Sequence, residues 1–124
     1  MKIKHLFIAN SVVLLMHGLG FLLMPDTTMS YYDVTLGAGG ILVARWLGGV
    51  QLGNALLTWL TRNEPASVAR QAIVTALLFA WTAAFISGLM AQFAGTMNGL
   101  GWSSVVISLA LMLGFGYFRL GASR

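Results

Sequence analysis

Apolar residues gather in four long runs that are separated by short polar or glycine-rich segments. An α-helix rises about 1.5 Å per residue, so a run of roughly 20 residues can cross a hydrocarbon core of about 30 Å. Each run therefore predicts one membrane-spanning helix, and the four predicted spans are residues 6–24, 41–61, 68–91 and 102–118. The pattern predicts an all-α fold, an integral membrane four-helix bundle in which residues 1–124 form a single transmembrane domain.

The segments between these runs carry turn signals. Residues 25–40 begin with Pro25 and end in a group of glycines, which predicts an interfacial loop with room for a short helix. Pro65 and Ser67 mark a helix stop and a new cap, so the second and third spans are predicted to form a tight hairpin. An uncharged, glycine-rich turn around Asn98 joins the third span to the fourth.

Composition supports a membrane protein. The chain is 58% hydrophobic and only 8% charged, whereas about a quarter of the residues in soluble domains are charged. Cysteine is absent, which excludes disulfides, thiolate metal sites and cysteine redox chemistry. The net charge is +4, but the basic residues stand at the ends of the spans and form no patch. Nucleic acid is therefore not an expected partner.

The distribution of lysine and arginine predicts the orientation in the membrane. The loops that follow the first and third spans contain neither residue. Six of the seven Lys and Arg residues fall on the opposite side: Lys2, Lys4, Arg62, Arg70, Arg119 and Arg124. Cytoplasmic loops carry an excess of Lys and Arg. Both termini are therefore predicted to face the cytoplasm, in a multi-pass protein of the bacterial inner membrane.

Several spans carry a mildly polar face. Asn10 and His17 are seven residues apart, which places them on one stripe of the first helix. The third and fourth spans carry comparable stripes of amides and hydroxyls: Gln71, Thr75 and Thr82, and Ser104 and Ser108. Hydrocarbon offers these groups no partners, so the polar faces are expected to turn toward one another. The ordinary role of such groups is packing, worth about 0.6 kcal/mol each.

The second span combines glycines with an arginine. Arg45, Gly48 and Gly49 share one face, and Gly49 with Gly53 forms a small-xxx-small pair. Small residues at this spacing let another helix backbone approach closely. The three glycines are therefore predicted to pack helices, either within the bundle or between subunits. Gln51 points elsewhere, toward a second neighbour.

Arg45 has two interpretations. It lies near the outer end of its span, so its long side chain can snorkel to the headgroups at modest cost. Alternatively it turns inward, at a depth close to that of His17, and pairs with Asp26 or Asp33 from the loop above. In that arrangement the loop is tied over the mouth of the bundle, and a cation is left to bind an anionic headgroup or substrate.

Most catalytic chemistry is missing from the sequence. No carboxylate lies within any span, so the usual acid of an intramembrane proton or cation carrier is absent. The two histidines, His5 and His17, lie at different depths, and one chain cannot offer the matched pair that a bis-histidine haem needs. Neither a metal-spaced cluster nor a catalytic triad is present. We therefore expect no enzymatic activity, no catalytic residue, no metal and no cofactor.

The stretch ARWLGGVQLGNALLTWLTRN, followed later by NGLGW and YF, resembles small uncharacterised bacterial four-helix membrane proteins that are loosely DoxX-like. The resemblance covers most of the chain and is carried by Pro25, Ala44, Arg45, Gly48, Leu52, Gly53, Trp59, Arg62, Asn98, Gly101 and Trp102. It implies a four-helix fold in the inner membrane and no assigned activity. DoxX itself resembles a membrane subunit associated with a quinol oxidase, so the resemblance implies, by analogy, an accessory role near redox enzymes.

Two functional hypotheses follow. In the first, the protein is a non-enzymatic accessory or scaffold subunit that packs through its glycine faces, with the lipid bilayer around it, in a homo-oligomer or a larger membrane complex. In the second, it is a small transporter or a lipid- or anion-binding module. Its ligand would occupy a polar cavity, open to the outside, that is lined by Arg45, His17, Asn10, Gln51 and Asn98.

Overall fold

The computed structural model describes residues 2–121, and its regular structure is entirely helical over that range. Four long helices coincide with the four apolar runs to within a few residues, and a short fifth helix follows the first of them. The helices are α1 (Ile3–Leu23), α2 (Pro25–Ser30), α3 (Ala38–Leu60), α4 (Val68–Phe93) and α5 (Gly101–Gly121). The all-α prediction is confirmed. Arg124, one of the residues that predict the orientation, lies outside the described residues.

Three of the long helices, α1, α4 and α5, are long and apolar enough to cross a membrane. Their surfaces agree, because large apolar side chains such as Phe79 and Phe93 are 77% and 81% exposed. Large apolar side chains exposed in this way on long apolar helices indicate a membrane location. Helix α3 has 23 residues and is long enough, but it does not belong to this group of three, because polar side chains within it lower its mean hydropathy. The fourth span and the placement of the termini stay predictions.

Local sequence explains where the helices begin and end. Pro25 is the first residue of α2, a position where the missing amide hydrogen costs nothing. The hydroxyl of Ser67 caps α4 by accepting a hydrogen bond from the amide of Arg70 at 3.1 Å. Helix α4 ends at Phe93, and two residues later Gly95 has a φ of 71°, a left-handed conformation that glycine adopts without a steric penalty.

The chain divides into two compact units. The first, Phe7–Arg62, contains most of α1 together with α2 and α3. Thr28 of α2 lies against Gly20, so the short helix folds back on α1. Helices α1 and α3 run antiparallel, because Leu22 lies near Gly48 at one end while Asn10 bonds Thr58 toward the other.

The second unit comprises residues 2–6 and 63–121, and it contains the α4–α5 pair. Buried residues on both helices recur every three or four positions, so each helix has one buried stripe. On α4 they are Val74, Leu77 and Trp81. On α5 they include Val105, Ser108, Leu111, Phe115 and Phe118. The position of a Cβ at Gly88 would be 3.1 Å from a methyl group of Val105, so the two helices pack closely there.

Candidate functional site

Two glycines make a close approach between α1 and α3. The position of a Cβ at Gly48 would be 2.6 Å from the amide nitrogen of Leu22 and 2.8 Å from the carbonyl oxygen of Gly18. At Gly18 it would be 3.0 Å from the carbonyl oxygen of Gly48. The two backbones are therefore in direct contact, which no larger residue allows. Gly48 lies where a helix-packing residue is expected, and Gly18 is its partner, which the sequence analysis missed.

A buried group of polar side chains joins the same helices about two turns away. The Asn10 amide donates to Thr58 Oγ1 at 3.2 Å, and the hydroxyl oxygens of Ser11 and Thr58 are 2.6 Å apart. The single hydroxyl hydrogen of Ser11 has two carbonyl oxygens within reach as acceptors, those of Phe7 at 2.9 Å and Ala55 at 3.0 Å. We name Asn10, Ser11 and Thr58 the hydroxyl cluster. Its hydrogen bonds hold α1 against α3, and Asn10, predicted as a ligand-binding residue, is fully buried within it.

Sequence spacing contains a signal for these contacts. Ser11 and Gly18 are seven residues apart on α1, and Gly48 and Ala55 are seven apart on α3. Seven residues are close to two turns of an α-helix, so each pair lies on one face. A search for small residues at this spacing on both spans would have found the contact. It would have identified Ser11 beside Asn10, but not the hydrogen bond between Ser11 and Thr58.

His17 and Gln51 lie at about the same level of the helix pair. His17 precedes Gly18, and Gly18 contacts both Gly48 and Leu52, which flank Gln51. Both side chains are half-buried. The His17 ring contacts the ring of Phe21, with centroids 6.3 Å apart. The side-chain oxygen of Gln51 is buried and has no hydrogen-bond partner among the described residues.

Arg45 does not lie at the expected level of the α1–α3 helix pair. It precedes Gly48 by three residues, and Gly48 already contacts Leu22 near the end of α1. Arg45 is therefore about 9 Å along the helix axis from Gln51, at 1.5 Å for each of six residues. The expectation that Arg45 and His17 share a depth is not met, because the antiparallel register places Gln51 at the level of His17.

The Arg45 side chain is exposed, and within residues 2–121 it forms no ion pair with Asp26 or Asp33. Asp26 lies exposed in the first turn of α2, and Asp33 is exposed in the turn that follows that helix. The pairing of Arg45 with either carboxylate stays a prediction.

Gly49 and Gly53 do not take part in the contact with α1. Both are exposed, and no described atom lies within 4 Å of the position that a Cβ would occupy on either one. Arg45, Gly49 and Gly53 follow one another at intervals of four residues, so they form a continuous line along the side of α3. We name these three residues the open stripe. Its member Gly49 directly follows Gly48, the most tightly packed glycine of the same helix.

An apolar groove of about 350 Å³ lies between α1 and α3 beside the open stripe. Its walls are formed by Val12 and Leu15 from α1 and by Leu52, Leu56 and Trp59 from α3, with Ser11 and Ala55 at the helix contact. Arg45, His17 and Gln51 are not among the residues that line it. The polar cavity expected from the sequence is thus a different feature from the groove that the structure describes.

Arg62 contacts Trp59, one of the residues that line this groove. The guanidinium carbon of Arg62 lies 4.0 Å from the centroid of the Trp59 ring, a cation–π contact. Nη1 of Arg62 also donates to the carbonyl oxygen of Trp59. Two contacts to one residue fix the position of this cation beside the apolar walls.

Asn98 belongs to the other compact unit, where it shapes the turn between α4 and α5. Its side-chain oxygen accepts a hydrogen bond from the amide of Leu100 at 3.0 Å, and its carbonyl oxygen accepts one from the side chain of Gln92 at 3.1 Å. At the other end of α5, Arg119 Nε donates to the hydroxyl oxygen of Thr75 at 2.9 Å. Asn98 therefore has a turn-forming role in this unit.

No metal site is apparent in the described range, because residues 2–121 contain no group of three or more histidine and acidic side chains placed to hold an ion. Comparison of the chain with protein-family models, with curated proteins and with solved structures gives no match. The DoxX-like resemblance stays a prediction that rests on the residues quoted above.

Proposed function

We propose that this chain is a small, non-enzymatic protein of the bacterial inner membrane that crosses the bilayer four times and acts as an accessory or scaffold subunit. In this proposal, a helix from a second copy or from a larger membrane complex packs on the open stripe of α3. One observation carries the proposal: Gly49 and Gly53 are exposed and have no described neighbour within 4 Å of a Cβ position.

The contrast between neighbouring glycines of α3 supports this interface. Gly48 accommodates the backbone of α1, at a position where any side chain would collide. Gly49 and Gly53 give the same access on an adjacent face, which is uncovered in the described chain. Glycine in the middle of a helix loses about 0.5–1 kcal/mol relative to alanine, so two exposed glycines have a cost that a close helix contact would offset.

The antiparallel register supports the fourth span. Contacts between α1 and α3 extend from Gly48 to Thr58, which is about 15 Å of helix, half of a hydrocarbon core. Helix α1 is long and apolar enough to cross a membrane. A helix that follows α1 over this distance in the opposite direction would cross the same bilayer, in spite of its polar residues.

Arg45 defines the chemistry of the proposed partner. A guanidinium near the hydrocarbon core costs about 2.5–3.5 kcal/mol at full depth unless it reaches the headgroups or a counter-charge. Arg45 is exposed and lies one helical turn before Gly49. The partner would therefore combine an apolar helix with small residues and a carboxylate or carbonyl oxygen near its outer end.

Replacing both exposed glycines tests this interface. In the Gly49→Leu/Gly53→Leu variant, side chains would keep a partner helix from the α3 backbone, so we expect the assembled species to be lost on native gels and in native mass spectrometry. The matched control is Gly49→Ala/Gly53→Ala, which keeps the stripe small and should keep the assembly. Both variants have room for the new Cβ atoms and should retain their helical circular dichroism. Complexes that survive the leucine variant unchanged would exclude the open stripe as the interface.

A further inference from the structure

We propose that the groove between α1 and α3 binds an acyl chain of an anionic phospholipid and that Arg62 binds the phosphate of the same lipid. The inference rests on the proposed threading, in which Arg62 lies at the cytoplasmic edge of the membrane. It is independent of the open stripe, which carries the proposed partner interface.

The walls of the groove are suited to hydrocarbon. Val12, Leu15, Leu52 and Leu56 present only aliphatic groups. The polar residue at the groove, Ser11, already has the carbonyl oxygens of Phe7 and Ala55 within hydrogen-bond distance of its hydroxyl, and it contacts the hydroxyl of Thr58. An occupant therefore needs to supply no hydrogen bond, and a polar ligand would lose hydration without compensation.

The size of the groove favours an acyl chain over an α-helix as its occupant. A volume of about 350 Å³ is at the small end of the ~300–1,000 Å³ range of small-molecule pockets. An α-helix with its side chains is about 10–12 Å across and would need a far wider channel. From Leu52 to Trp59 the groove follows α3 for about 10 Å, which suits a single extended hydrocarbon chain that lies along the helix pair.

Arg62 supplies the charge that selects an anionic headgroup. Its guanidinium is fixed over the Trp59 ring, and one of its five N–H groups donates to the Trp59 carbonyl oxygen. The remaining donors form a planar fork, which matches the geometry of a phosphate. Since the side chain is already ordered, lipid binding costs less conformational entropy than it would at a free arginine. Tryptophan beside arginine is also typical of the headgroup level.

Native mass spectrometry of the full chain, released from vesicles of phosphatidylglycerol and phosphatidylcholine with identical acyl chains, tests the site. We expect the parent protein to retain phosphatidylglycerol preferentially. Arg62→Gln should reduce that preference by about tenfold, because a charge-assisted contact to phosphate is lost. Arg119→Gln is the matched control, because it also removes one positive charge near a helix end. The Arg119 side chain contacts Thr75, so the preference for phosphatidylglycerol should persist in this variant.

Variants that fill the groove test the binding of the acyl chain separately from the binding of the headgroup. Val12→Trp should reduce the retention of both lipids alike, because the indole occupies the space of the chain. Val12 is 48% and Leu56 is 57% exposed, so a larger side chain has room at either position, and Leu56→Trp gives the same test from the opposite wall. Retention unchanged in both tryptophan variants, or an unchanged headgroup preference in Arg62→Gln, would overturn the inference.

The experiment also separates this inference from the proposed function. If a second copy of the chain covers the groove instead of a lipid, the tryptophan variants would lose oligomers while lipid retention stays the same, which also overturns the inference. If only the partner interface is wrong, Gly49→Leu/Gly53→Leu would leave assembly intact while the lipid measurements give the expected result.

Discussion

The polar residues of α1 and α3 differ in how they meet their hydrogen-bonding needs. Asn10 and Thr58 are fully buried, and the hydroxyl of Thr58 accepts from Asn10 and also contacts Ser11. In contrast, Arg45 is exposed and lies apart from this cluster. At this scale the chemistry of the hydroxyl cluster is structural, because its buried groups bond one another across the two helices.

Replacing Thr58 with valine should destabilise the helix pair. The change keeps the shape of the side chain but leaves the Asn10 amide without this acceptor and Ser11 without this contact, at a cost of about 1–2 kcal/mol. Thr58→Ser keeps the hydroxyl and should lose less. Thr61→Val is the matched control, because the Thr61 hydroxyl donates only to the Leu57 carbonyl oxygen of its own helix. Thermal unfolding in detergent micelles measures the difference, and equal midpoints for Thr58→Val and Thr61→Val would contradict this role.

Helix α3 presents two adjacent faces with opposite surroundings. Gly48 lies against the backbone of α1, while Gly49 is open. Consecutive residues of an α-helix are about 100° apart, so the same helix can contact α1 and a further helix at once. Helix α3 is therefore the element in which the internal packing and the proposed assembly meet.

Alanine at the two adjacent glycines should have opposite effects on stability. Gly48→Ala places a methyl group 2.6 Å from the backbone nitrogen of Leu22, so the helices must separate, and we expect a loss of about 1–3 kcal/mol. Gly49→Ala meets no atom within 4 Å and should be neutral or stabilising by up to about 1 kcal/mol, because alanine favours the helix. The midpoints of thermal unfolding of the two variants and the parent protein measure these effects. A Gly48→Ala variant as stable as Gly49→Ala would show that the backbone contact is not needed.

Sequence periodicity predicts the elements better than their contacts. The apolar runs locate α1, α3, α4 and α5 to within a few residues because hydrophobic length sets the position of such helices. The register of α1 against α3 is not predictable in this way, since hydropathy does not determine which glycine meets which. For the same reason the sequence identifies Gly48 but not Gly18, and it places Arg45 at the level of His17, where the register places Gln51.

At the scale of the whole molecule, the threading makes a prediction that cysteine labelling can test. The natural chain contains no cysteine, so a single introduced thiol reports its own position. With four spans and a cytoplasmic N-terminus, Glu64→Cys faces the cytoplasm and Thr96→Cys the outside, both at exposed positions. In intact cells an impermeant maleimide should label Thr96→Cys alone.

The same pair of variants distinguishes four spans from three. If only α1, α4 and α5 crossed the bilayer, Glu64→Cys would be labelled from outside and Thr96→Cys would be protected. Labelling of both thiols after permeabilisation is the control for reactivity. The reversed pattern would exclude the proposed threading and, with it, the cytoplasmic position of Arg62.

The adjacency of Gly48 and Gly49 also limits how this protein can change in length. One extra residue inserted after Val50 would leave both glycines in place but rotate the rest of α3 by about 100°. Ala55 and Thr58 would turn away from Ser11, and the groove would lose a wall. Point substitutions can be absorbed along much of this helix, but gains and losses of single residues would have to be confined to the turns before and after it.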